Sequence, residues 1–194
     1  MMELFMQLKI ATPTAWLDCV LTNINSFLID HAHAEKKASG MAMSMIAHYP
    51  DRTQLVKAMA DLAVEELIHF KQMMKILHAR ELILTPDEKD PYVNQLRRCF
   101  RQGTEAYLLD RLLIAGIIEA RGCERFGLVA AALPPGDLKV FYQMITKSEA
   151  KHHTLFTDLA EHYFDQHTVV SRLSELLELE ADIVAQLPLR PCLH

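Results

Sequence analysis

The sequence predicts an all-α protein, a four-helix bundle carrying extra helices, and three observations lead there. Only 6 of 194 residues are glycine, while 51% are hydrophobic and 23% charged, a balance that suits a compact helical chain and neither a disordered one nor a turn-rich β protein. Apolar residues recur at alternating intervals of three and four along most of the chain, the period of a helix with one buried stripe. The interruptions are few and rich in proline: ATPTAW, the Tyr49–Pro50 step, TPDEKDP and LPPGD. A mass of 22.1 kDa is enough for one domain with a real core, so residues 1–194 are expected to form a single domain.

Taken in order, a first long helical pattern follows Pro13 and runs to about His48, stopping before Pro50. Its inward stripe is Ile24, Leu28, His31, Glu35, Ala38, Ala42 and Met45. A second, from about Asp51 to His78, carries Leu55, Met59, Leu62, Glu66, His69, Met73 and Leu77. The segment from Ala79 to about Thr104 is too polar and punctuated for a core helix and reads as a long crossover holding a short helix. A third begins near Glu105, with Leu108, Leu112, Ala115, Glu119, Gly122 and Phe126 inward. After LPPGD a fourth presents Leu138, Tyr142, Ile145, Glu149, His152, Phe156, Leu159 and Tyr163. A last helix, about Val169 to Gln186, is expected to pack outside the bundle with no special chemistry, and Pro188 and Pro191 end regular structure.

Six polar groups therefore interrupt apolar stripes: Glu35, Glu66 and His69, then Glu119, Glu149 and His152. Glu35 and Glu66 are 31 residues apart, Glu119 and Glu149 are 30, and each second glutamate precedes its histidine by three. An ionised carboxylate in a dry core costs several kcal/mol, on the order of a typical domain's whole stability when multiplied by four, unless cations compensate it. A single Glu-x-x-His is more often a solvated helix pair. Two copies with two partner glutamates at a repeating interval read instead as a dinuclear site, and oxygen-rich ligation with one imidazole per ion suits iron or manganese. A glutamate from each of two helices plus Glu-x-x-His from each of two others is the carboxylate arrangement of ferritin-like bundles. Glu65 and Glu124 are competing carboxylates rotated off the stripes, as is His153, whereas His31 lies one turn before Glu35 and reads as a hydrogen-bonded core histidine. The methionines of MAMSM and KQMMK read as adaptable packing.

The formal net charge of −5 argues against a surface that is basic throughout, so any nucleic-acid contact must be local. Cys19, Cys99, Cys123 and Cys192 form no CxxC pair, no secretory signal opens the chain, and apolar runs such as LLIAGII fall short of a membrane span, so a reduced cytoplasm is the expected compartment and no membrane partner is expected.

Across nearly its whole length the sequence resembles the MiaE family of tRNA hydroxylases, carried by HAHAEKKASG, AVEELIHFKQM, SEAKHHTLF and, most specifically, DRLLIAGIIEARGCERFGL. The resemblance implies a ferritin-like fold and two non-haem iron ions held by Glu35, Glu66, His69, Glu119, Glu149 and His152, with Glu66 and Glu149 bridging; no catalytic residue beyond these ligands is implied. It implies insertion of one atom of O2 into an allylic C–H bond of the isopentenyl group of 2-methylthio-N6-isopentenyladenosine in tRNA. Two electrons must come from outside, and since neither a CxxC pair nor G-x-G-x-x-G is present, an external redox protein is expected to donate them. Lys36, Lys37, Arg97, Arg98 and Arg101 are the basic residues expected to meet RNA, against the alternative of ordinary solvated charge. The rival functions are a quinone-pathway hydroxylase, which would want a membrane-binding face, a ferroxidase or iron store, and a rubrerythrin-like peroxidase, whose usual accompanying cysteines are absent.

Overall fold

The structure, a computed structural model, describes residues 7–194 and contains, among them, eight α-helices and no strand. They are α1 (Thr14–Thr22), α2 (Ile24–His48), α3 (Thr53–Ala79), α4 (Pro91–Arg97), α5 (Thr104–Ala132), α6 (Asp137–Glu149), α7 (His152–Tyr163) and α8 (Gln166–Gln186). The chain divides into two compact units: a smaller one of Ala15–Glu88 with Leu189–Leu193, and a larger one of Lys89–Pro188 with residues 7–14 and His194.

In the smaller unit α2 and α3 pack along each other as a helical hairpin, the short turn at Tyr49–Arg52 forcing them antiparallel. All seven residues of the predicted α3 stripe are buried. Its five apolar members contribute roughly 1.5–3 kcal/mol each in burial. On α2 the stripe is buried at Leu28, His31, Glu35, Ala42 and Met45, but Ile24 and Ala38 are half-exposed, and Phe27, Ala32 and His33 are buried beside it. The single first helix of the sequence reading is in fact two. Thr22 Oγ1 donates to Asp18 O at 2.8 Å and Asn23 Nδ2 to Cys19 O at 3.0 Å, so adjacent side chains compete for the carbonyls that would carry the helix onward, and Asn23 leaves helical geometry at φ −124°, ψ 42°. The C-terminal segment closes this unit: Trp16 Nε1 donates to Cys192 O at 3.0 Å and Leu193 N to Asp30 Oδ2 at 2.7 Å.

In the larger unit α5 packs against α6, α7 and α8, and is buried on almost every side from Leu108 to Ile117, as a helix surrounded by others must be. Gly103, at φ +96°, turns the chain into it in a conformation a side chain would strain. The short helix of the crossover is α4, with Pro91 in its first turn and Asp90 accepting from Val93 N at 3.1 Å. The fourth predicted helix is divided at Ala150–Lys151, where Lys151 N bonds Ser148 O at 3.1 Å in a tighter i−3 turn. Both residues keep right-handed dihedrals, so the inward phase passes from Glu149 to His152 without loss.

The last helix departs most from expectation. It buries Arg172 and Glu180 along with Val169, Leu173, Leu176, Leu177, Ile183 and Val184. Glu180 accepts from Arg121 Nε at 2.9 Å, from Arg121 Nη2 at 3.1 Å and from Tyr92 Oη at 3.0 Å. Arg121 also reaches Glu124 Oε2 at 2.5 Å, Thr12 Oγ1 at 3.2 Å and Ile10 O at 2.9 Å. Asp110 accepts from the guanidiniums of both Arg101 and Arg172, the shortest contact to each being 2.8 Å. These two clusters tie the N-terminal segment, α4, α5 and α8 together.

Candidate metal centre

Glu35 stands on α2 and Glu66 with His69 on α3, and all three side chains are buried. Each offers a ligand atom within 4.8 Å of the others. His69 Nδ1 lies 3.3 Å from Glu66 Oε2 and 3.6 Å from Glu35 Oε2. His31, fully buried one turn before Glu35, donates from Nε2 to Glu35 Oε1 at 2.5 Å, the hydrogen-bonded core role expected of it. That bond fixes which way the Glu35 carboxylate turns.

The larger unit repeats the pattern. Glu119 of α5, Glu149 at the end of α6 and His152 at the start of α7 offer ligand atoms within 4.8 Å of one another. His152 Nδ1 is 2.7 Å from Glu149 Oε2 and 3.9 Å from Glu119 Oε2. A ring nitrogen and a carboxylate oxygen at such distances repel unless a proton or a metal ion shares the electron pairs. Glu149 and His152 are buried, while Glu119 is partly exposed. Burial pushes the nearby Cys123 thiol up to about 11, with the Glu149 and Glu119 carboxylates adding to the shift and His152 opposing it.

The chemistry of the donors fits a pair of divalent ions. Each unit supplies two carboxylates and one imidazole, so two such ions would balance the four carboxylate charges. The competitors sit elsewhere: Glu124 is committed to Arg121 and Thr12, and Glu65 is half-buried. His153 is half-exposed, and its pKa is lowered by burial and then by the neighbouring His152.

The basic residues fall into three groups. Lys36 pairs with Asp87 at 2.6 Å and Lys37 donates to Glu88 O at 2.8 Å, and so both tether the segment after α3. Arg101 is committed to Asp110, while Arg97 and Arg98, in the last turn and C-cap of α4, are exposed. Sequence reasoning missed Asp110, Arg121, Arg125, Arg172 and Glu180 as buried groups. The signal for Glu180 was present, since it interrupts the stripe Leu173, Leu176, Leu177, Ile183 as the ligand candidates interrupt theirs.

Among the described residues, no helix is long and apolar enough to cross a membrane. A structure from Synechococcus, titled Protein 43 with aldehyde deformylating oxygenase activity, superimposes with a TM-score of 0.90 at 35% identity over 95% of this chain and 92% of its own. The fold is thus all-helical and ferritin-like, as the sequence predicts. The tRNA 2-(methylsulfanyl)-N(6)-isopentenyladenosine(37) hydroxylase of Pseudomonas putida strain KT2440 is 34% identical over 173 residues, covering 89% of this chain and 84% of that one. The protein of the same name from Salmonella typhimurium strain LT2 is 32% identical over 131 residues, 68% of this chain and 48% of its own, so that match spans about half of the relative. The family described as tRNA-(MS[2]IO[6]A)-hydroxylase (MiaE) matches residues 1–194. With both Glu-x-x-His motifs in place and the match running end to end, the chain belongs to the MiaE family.

Proposed function

We propose that this protein hydroxylates the isopentenyl group of 2-methylthio-N6-isopentenyladenosine in tRNA, using O2 and two iron ions held by Glu35, Glu66, His69, Glu119, Glu149 and His152. The observation that carries the reading is the recurrence, in a MiaE-family chain, of one buried imidazole beside two carboxylates in each unit, at sequence intervals of 31 and 30 residues. When bound, the iron pair would supply the activation of O2 that insertion into the allylic C–H bond demands, with two electrons provided by a separate redox protein. The chain's own residues supply the rest. His31 holds the Glu35 carboxylate in one orientation through its 2.5 Å bond, so the ligand atom is turned before any ion arrives. Burial of Glu66, His69, Glu149 and His152 keeps bulk water from the donors, which strengthens every charge interaction there. Arg97 and Arg98, exposed and adjacent, are the free cations of the predicted set best placed to meet a phosphate backbone. The two units act as one catalytic domain, and tRNA as substrate places the reaction in the cytoplasm.

The test incubates iron-loaded, reduced protein with O2 and tRNA carrying the modified adenosine, then digests the RNA to nucleosides and weighs them. A gain of one oxygen atom on the prenylated nucleoside is expected. An unchanged nucleoside, with iron bound and the reductant working, would remove the tRNA reading. The aldehyde deformylating oxygenase activity of the similar Synechococcus protein suggests a second substrate, an aldehyde, and the present protein assayed with a fatty aldehyde and O2 decides it: loss of the formyl carbon would favour that chemistry.

A further inference from the structure

Helix α3 turns Glu66 and His69 inward, yet its outward face is not the polar surface that a bundle helix normally shows to water. Val64 is 61% exposed, Leu67 50% and Ile68 48%, three large aliphatic side chains side by side. At about 100° per residue, Lys57, Lys71 and Lys75 fall on the same stripe, before and after the apolar centre. All three lysines are exposed and have no ion-pair partner among the described residues. Asp61 is the one acid on that stripe among the described residues. On a chain with a net charge of −5, this is a local concentration of positive charge around an oily centre.

We propose that this face of α3, Val64, Leu67 and Ile68 framed by Lys57, Lys71 and Lys75, is the docking surface for the acidic one-electron redox protein that reduces the iron pair. The proposal rests on the reading of function above and adds a place and a charge to the donor. Leu67 and Ile68 lie between Glu66 and His69 in sequence, so a donor seated on them is separated from two ligand candidates by little more than the width of one helix, about 10 Å. Each encounter would oxidise the donor's cluster by one electron and convert one ferric ion to ferrous. Two encounters match the two electrons that, with two protons, turn the second atom of O2 into water while the first enters substrate.

Other occupants fit this surface less well. RNA phosphates would accept the lysines, but unpaired bases stack on aromatic rings, and the centre of this face offers only aliphatic branches. A second copy of the chain, paired about a two-fold axis, would set lysines against lysines. A lipid surface would ask for a longer apolar face with aromatic anchors.

An acidic plant-type [2Fe–2S] ferredoxin with its NADPH-dependent reductase serves as the probe, against wild-type protein, Lys71→Glu/Lys75→Glu and Leu67→Ser/Ile68→Ser. Calorimetric binding is measured on metal-free and iron-loaded protein, and reduction of the ferric site is followed by stopped-flow absorbance with ferredoxin or with dithionite. The wild type is expected to bind ferredoxin with an affinity that falls as salt rises. The charge-reversed protein should bind and accept electrons from it about tenfold more weakly, with dithionite reduction, iron content and helicity unchanged. No binding by the wild type, or equal binding and reduction by wild type and both variants, would overturn the proposal. So would variants whose loss is instead in tRNA affinity, in vesicle binding or in self-association. A protein that takes up no iron, or fails to hydroxylate tRNA when reduced by dithionite, would sink the functional reading, while binding to the metal-free protein still reports on docking.

Discussion

Replacing Arg121 by methionine tests the buried ion cluster that sets the rotation of α5. Arg121 is fully buried, and its side chain donates to both oxygens of Glu180, to Glu124, to Thr12 and to Ile10 O. Methionine keeps most of the aliphatic volume and removes all of these donors. Glu180 would retain the Tyr92 hydroxyl at 3.0 Å and the through-space charge of Arg125, leaving a fully buried carboxylate with no cation hydrogen-bonded to it. Breaking one side of a buried pair costs about 3–5 kcal/mol. For a chain of this size each kcal/mol lowers Tm by about 2–4 °C, so a fall of roughly 6–20 °C is expected. Arg121→Met/Glu180→Leu removes the stranded charge as well and should be more stable than Arg121→Met alone, a coupling of about 1–3 kcal/mol. Urea denaturation of the wild type, both single variants and the double variant gives the cycle. Additive single effects, or a loss below about 1 kcal/mol for Arg121→Met, would refute the view that this cluster is dry and mutually dependent.

Other substitutions separate the site's parts. Glu66→Ala or Glu149→Ala should lose both bound iron and hydroxylation, whereas His153→Ala should keep both, and equal loss at His152 and His153 would show the inward phase to be misread. His31→Leu should weaken metal binding by about 10–100-fold without unfolding the protein, because the Glu35 carboxylate loses the donor that turns it; metal titration with Glu35 intact reads this directly. Asp110 has its pKa lowered: burial alone would raise it, but hydrogen bonds from Arg172 and Arg101 outweigh that. Its folded value lies below the ordinary 3.8, so the unfolded chain binds more protons in that window and the stability Asp110 contributes is lost as pH falls through it. Asp110→Asn should therefore lower stability at neutral pH and flatten the acid limb of a stability–pH curve, which a limb as steep as wild type would contradict.

The parts of the fold set by local pattern were legible in the sequence. The α3 stripe is buried at all seven predicted positions because its members recur at intervals of three and four, the helical period, although Val64, Leu67 and Ile68 leave apolar side chains on the outward face as well. The two helix divisions were not legible, since Asn23 and Ala150–Lys151 lie within patterns whose phase continues across the break. Nor was the role of α8. A glutamate on an apolar stripe signals a buried carboxylate, but not what neutralises it; Glu180 is met by Arg121, 59 residues away, and a one-dimensional pattern carries no such distance. A histidine three residues later distinguished Glu66 and Glu149. The stretch DRLLIAGIIEARGCERFGL, which carried most of the family resemblance, contains Asp110, Arg121, Glu124 and Arg125, and the first three anchor the buried clusters.

The central claim is that one imidazole and two carboxylates from each unit together hold two metal ions. Anaerobic titration of metal-free protein with ferrous iron measures it without depending on substrate or electron donor. Saturation at two equivalents per chain is predicted for the wild type; saturation at one equivalent, or no uptake by correctly folded protein, would contradict it.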